Sequence, residues 1–101
     1  ELYFTGRVVL ADEALRIGLV DRVAPAAQLA QVAQQWAQEL AALPTVALGY
    51  MKRNLNLALR ASLSDVLDAE AVHMIRTFET DDHKGAALAF ADKRKPDFNG
   101  R

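Results

Sequence analysis

The segment LAQVAQQWAQELAALP, residues 29–44, decides the fold class. Leu29, Val32, Trp36, Leu40 and Leu43 recur at spacings of three and four, which puts them on one stripe of an α-helix. Gln31, Gln34, Gln35 and Gln38, with Gln28 just ahead, fall largely on the other side. The alanines between them favour helix and permit close packing. Pro25 can stand at or just before the first turn, where its missing N–H costs nothing. Pro44 ends the helix and can open the next one. Trp36, on the stripe, is expected in the core.

Toward the C-terminus the same period continues. Leu48, Met51, Leu55 and Leu59 predict a second long helix, with Lys52 and Arg53 off its stripe and Gly49 inside it. Ser62 and Asp65 have the spacing of a capping box. Leu67, Glu70, Met74 and Phe78, widened by Val66, Ala71 and Ile75, then predict a third. Thr80-Asp81-Asp82 reads as a new start, with Thr80 or Asp81 satisfying orphan N–H groups. A short last helix is expected from about residue 82 to residue 93, with Ala86, Ala89 and Phe90 on its apolar side. Lys93-Arg94-Lys95 gather at its C-terminal end, where the helix dipole favours cations.

Toward the N-terminus, Ala11 to Gly18 reads as a short helix with Gly18 as its stop. Residues 19–23, Leu-Val-Asp-Arg-Val, are expected to be extended. Leu2-Tyr3-Phe4 fits either a strand or a helical turn. The whole is all-α beyond Pro25, with about five helices.

Composition excludes several classes. The chain has 101 residues, a net charge of −1 and 51% hydrophobic residues, so it is globular and carries no bulk attraction for nucleic acid or an acidic membrane. It has no cysteine, hence no disulfide frame, thiolate chemistry or cysteine zinc site. No apolar run approaches the ~20 residues of a membrane span. A cytoplasmic location is expected.

The residues supply no catalytic set and no metal site. Glu70-x-x-His73 has the spacing of half a di-iron helix pair, but the second copy is missing. It reads better as a surface or interface pair, and Glu79 with His83 likewise. Asp65 with Asp68, and Asp81 with Asp82, sit at helix starts, where capping explains them. The five glycines are scattered, so there is no phosphate loop. Lys93-Arg94-Lys95 is the one candidate for an anion, because Lys and Arg suit phosphate oxygens. A solvated helix end is the plainer explanation of that cluster, and of Lys52-Arg53.

Leu2-Tyr3-Phe4-Thr5-Gly6-Arg7, Ala11-Asp12-Glu13-Ala14 and Gly18-Leu19-Val20-Asp21-Arg22-Val23 follow one another in an order that resembles the enoyl-CoA hydratase/isomerase (crotonase) superfamily. Leu43-Pro44, Lys52, Thr80-x-Asp82-His83 and Ala89-Phe90-x-x-Lys93-Arg94-x-Pro96-x-Phe98 continue it. The resemblance covers nearly the whole chain. It implies a part of a longer enzyme, a reading that also fits a start at Glu1 inside an apolar run. Residues 1–24 would be the end of the crotonase core and its connection. Residues 25–101 would be the C-terminal helical region that mediates trimer or dimer-of-trimers assembly and covers the active site. The family's oxyanion hole and catalytic carboxylates have no counterpart here, so no residue is assigned a catalytic role.

The resemblance assigns Phe90 and Lys93 to coenzyme A, the aromatic beside the adenine and the ammonium at a phosphate, often in a neighbouring subunit. Coenzyme A enters as the thioester substrate; no bound cofactor is implied. The chain departs from the family at Gly85-Ala86, where Glu-Gly is usual, which removes an acid and weakens a helical turn. Two functions follow. The first is a fragment of an acyl-CoA hydratase or isomerase, inactive alone. The second is a stand-alone helical module for oligomerisation or partner binding.

Overall fold

The structure, a computed structural model, describes all 101 residues. It holds six α-helices, a 3₁₀ turn and no strand: α1 Leu2–Thr5, α2 Ala11–Arg16, the turn Ala26–Gln28, α3 Leu29–Ala41, α4 Thr45–Ala58, α5 Leu63–Phe78 and α6 Asp81–Ala91. Two compact units divide the chain, residues 1–35 and 36–101, with α3 beginning in the first and ending in the second.

In the first unit, Leu2–Thr5 takes the helical alternative. Gly6, at φ 59°, closes it by donating to the Leu2 carbonyl at 3.0 Å. Arg7 then ties this unit together. Its Nε meets Glu1 at 2.7 Å, and its two terminal nitrogens meet the two oxygens of Glu13 at 2.9 Å each. α2 buries Ala14 and ends at Arg16, with Gly18 just beyond it as the expected stop. Gly18 stands at φ 74°, and the N–H of Leu19 reaches back to the Ala14 carbonyl at 2.8 Å. This is the left-handed glycine stop that a side chain would strain. Residues 19–23 leave the helix but pair with no strand. Pro25 caps the 3₁₀ turn that leads into α3.

In the second unit, α4 packs on α5, and α5 on α6. Local chemistry sets each start. Pro44 stands at the α4 N-cap. Ser62 Oγ accepts from the Asp65 N–H at 3.2 Å while the Asp65 carboxylate takes the Ser62 N–H, so the capping box is complete. Thr80 caps α6 by accepting from His83 N–H at 3.1 Å. The helix runs unbroken through Gly85.

The inward faces of α4 and α5 differ from the stripes predicted from sequence. The half-buried positions are Val46, Ala47, Leu48, Tyr50, Asn54 and Leu57 on α4, and Val66, Ala69, His73 and Thr77 on α5, so of the predicted stripes only Leu48 and Val66 are among them. Tyr50 stacks on His73 with ring centroids 4.6 Å apart, and Asn54 Oδ1 bonds His73 Nδ1 at 2.5 Å. These polar and small contacts turn the larger apolar stripe outward. Leu55 is 70% exposed and Leu59 86%, and Met51, Leu67, Met74, Ile75 and Phe78 are about half exposed or more. The sequence pattern locates the apolar face correctly; it does not say which face meets the neighbouring helix.

Candidate functional site

The candidate site is the C-terminal end of α6. Ala89 is fully buried there and anchors the last turn. The Lys93 N–H donates to Phe90 at 3.1 Å and the Arg94 N–H to Ala89 at 2.9 Å. Lys93 itself lies at φ 56°. This is a Schellman closure with lysine in the left-handed position that glycine usually fills. The cost of that conformation in an L-residue is about 1 kcal/mol, so the backbone at Lys93 is held by its surroundings.

Phe90, expected on the apolar side of the helix, is 87% exposed. The buried side is Asp82, Gly85, Ala86 and Ala89 instead, because only small or hydrogen-bonded side chains fit there. The helix ends at Ala91, so the cations lie just past it rather than in its last turn. Arg94 pairs with Asp92 at 3.4 Å, which leaves Lys93 and Lys95 with no ion-pair partner. The structure thus presents an exposed aromatic ring and, three residues on, an ammonium without an ion-pair partner at a hydrogen-bonded left-handed turn.

Three of the other sequence candidates, His73, Arg53 and His83, are engaged structurally. His73 is held by Tyr50 and Asn54. It lines a cavity of about 170 Å³ with Glu70, Met74 and Thr77, and no further carboxylate or imidazole stands close enough to complete a metal-binding group. Arg53 lies over the Tyr50 ring, 5.4 Å from its centroid. His83 packs against Phe78, with centroids 4.6 Å apart. Two carboxyls are shifted. Glu13 is held below the usual carboxylate range, chiefly by its hydrogen bonds to Arg7. Asp65 is held low by the Ser62 hydroxyl and then by the Ser62 N–H. Both shifts report structural bonds at exposed positions, not a tuned acid or base.

One residue was underread in the sequence. Asp82 passes for an ordinary first-turn acid. In the structure its carboxylate accepts the N–H groups of Asn99 and Gly100, seventeen and eighteen residues away. No local pattern announces a bond of that range. The weak signal is Gly100 near the chain end, a residue suited to a tight approach.

The described chain is all-helical, and its last helix ends in a cluster of cations. The family model for enoyl-CoA hydratase/isomerase matches residues 1–101. The short-chain-enoyl-CoA hydratase of Clostridium acetobutylicum is 35% identical over 94% of this chain and 36% of its own length. The 1,2-epoxyphenylacetyl-CoA isomerase of Escherichia coli K12 is 33% identical over 99% of this chain and 38% of its own. An enoyl-CoA hydratase structure from Geobacillus kaustophilus superposes with a TM-score of 0.88 at 31% identity, covering 96% of this chain and 37% of the other. The chain belongs to the enoyl-CoA hydratase/isomerase family. It spans little more than a third of the length of the relatives it matches.

Proposed function

We propose that this chain is the C-terminal helical part of an enzyme that hydrates or isomerises enoyl-CoA thioesters. Residues 1–24 would close the catalytic core and residues 25–101 would form its assembly and lid region. The observation that carries the reading is the outward apolar face of α4 and α5. Leu55, Leu59, Leu67, Met74 and Ile75 are too many large side chains for a helical pair to leave wet without a partner surface. The covering surfaces are the rest of the family fold and neighbouring copies of the chain.

Phe90 and Lys93 are the part of the coenzyme A site that this chain contributes. A phenyl ring offers its face to a purine, and an ammonium without a carboxylate partner is free to meet a phosphate. The left-handed turn at Lys93 supports this, because a costly conformation kept at a surface is more easily understood where the side chain has a task. No residue here is aimed at a developing oxyanion, so the chain alone supplies binding and not chemistry. The choice between hydration and isomerisation is made outside these residues; relatives of nearly equal similarity carry both names.

The experiment is a crotonyl-CoA hydration assay of the isolated chain beside a coenzyme A titration. No turnover is expected, together with measurable binding that Lys93→Ala weakens about tenfold, the loss of one charge-assisted contact of about 1.4 kcal/mol. Turnover abolished by a substitution within these residues would contradict the reading. Self-association without any affinity for coenzyme A would favour a helical module that only assembles.

A further inference from the structure

Asp82 is the one charged side chain buried in the protein, at 3% exposure. A buried carboxylate requires partners. Its two oxygens accept the Asn99 N–H at 2.6 Å and the Gly100 N–H at 2.9 Å. In return its own N–H, an orphan donor of the first helical turn, donates to the main-chain oxygen of Arg101 at 3.0 Å. Gly100 adds a steric fit. It lies at φ 71°, and a side-chain carbon there would stand 2.5 Å from Thr45 Oγ1. The chain end is therefore docked at the start of α6, against the start of α4.

This docking constrains the other end of α6. The polypeptide leaves the helix at Lys93 and is tied back to its first turn at Asn99. The eleven residues of α6 rise about 16 Å. The six steps from Lys93 to Asn99 reach about 20 Å when extended. The strap has little slack, so it must double back along the helix as soon as the helix ends. A left-handed residue at position 93 makes that reversal.

We propose that Asp82 is a positioning residue for the Lys93 anion site: it anchors the strap 94–101, selects the left-handed backbone at Lys93, and so fixes where the ammonium stands. The ligand in this statement rests on the coenzyme A reading above. Asp82 touches no ligand itself. Released from Asp82, the strap would let Lys93 sample several conformations. If the left-handed one fell to about a tenth of the population, apparent affinity would fall about tenfold.

The test uses the 101-residue chain, its Asp82→Ala variant, and a chain ending at Phe98 that keeps Asp82 but removes its partners. The second variant serves if the first fails to fold. Three readouts are taken with helicity as control: amide exchange of residues 94–98, the HN–Hα coupling that reports φ at Lys93, and titration with coenzyme A. Expected are faster strap exchange, loss of the positive-φ signature at Lys93, and an affinity about tenfold weaker with helicity retained. Unchanged strap exchange would overturn the latch. A released strap with Lys93 still left-handed, or with unchanged affinity, would overturn the positioning role. Wild-type protein that shows no coenzyme A response at Phe90 and Lys93 would instead sink the ligand reading, and with it any role of Asp82 toward that ligand.

Discussion

At Lys93 the backbone and the side chain have opposite preferences, and substitution can separate them. Lys93→Ala keeps the left-handed strain and loses the ammonium. Lys93→Gly loses both. The glycine variant should therefore be more stable than the alanine variant by about 1 kcal/mol in urea unfolding. Both should bind coenzyme A equally poorly. Equal stabilities would mean that position 93 carries no strain. Glu13 offers a pH test with a definite sign. Its folded pKa lies below its unfolded value, so its bonds to Arg7 contribute fully above the unfolded value of about 4.3 and fade as pH falls through the folded one. Arg7 is shifted upward by the same bonds and stays charged throughout. Amide protection around Ala14 should drop as pH falls from the unfolded value through the lower folded one, and Arg7→Gln should flatten that drop. An identical profile in the variant would remove the pair from the account.

The helices were legible because their ends carry local chemistry. Ser62→Ala removes the capping box at α5 and should cost about 1 kcal/mol, read from the unfolding midpoint. Gly18, Pro25, Pro44 and Thr80 mark boundaries by the same kind of signal, and all four stand at element ends. What the sequence hid was direction and distance. The apolar stripe of α4 is real, but the helix meets α5 through Tyr50, Asn54 and His73, a choice made by two helices together. Phe90 sits at an apolar register yet faces out, because the buried side of α6 is committed to Asp82 and small residues. Lys93 stands out in the sequence as part of a cationic cluster, whereas its pairing with Phe90 comes only through resemblance; the strap that holds Lys93 joins residues too far apart for any periodicity to reveal. Gly100→Ala should loosen that strap without touching Asp82, since alanine at φ 71° is strained and crowds Thr45. Exchange of residues 94–98 faster than wild type is the expected result, and an unchanged rate would separate Gly100 from the latch.

For the whole molecule, the distribution of apolar surface matters more than any single contact. Few side chains are buried, and the two hydrophobic ones are alanines. No helix is long and apolar enough to cross a membrane. Leu55→Gln with Ile75→Gln should leave the stability of the chain within about 0.5 kcal/mol, because both side chains are already exposed. The same pair should weaken association strongly. The most direct measurement is sedimentation equilibrium of the wild-type chain from micromolar to millimolar concentration. A mass that rises with concentration, and rises less in the Leu55→Gln, Ile75→Gln variant, is expected if the outward faces are interfaces. A single monomer mass of 11.1 kDa across the range would contradict it.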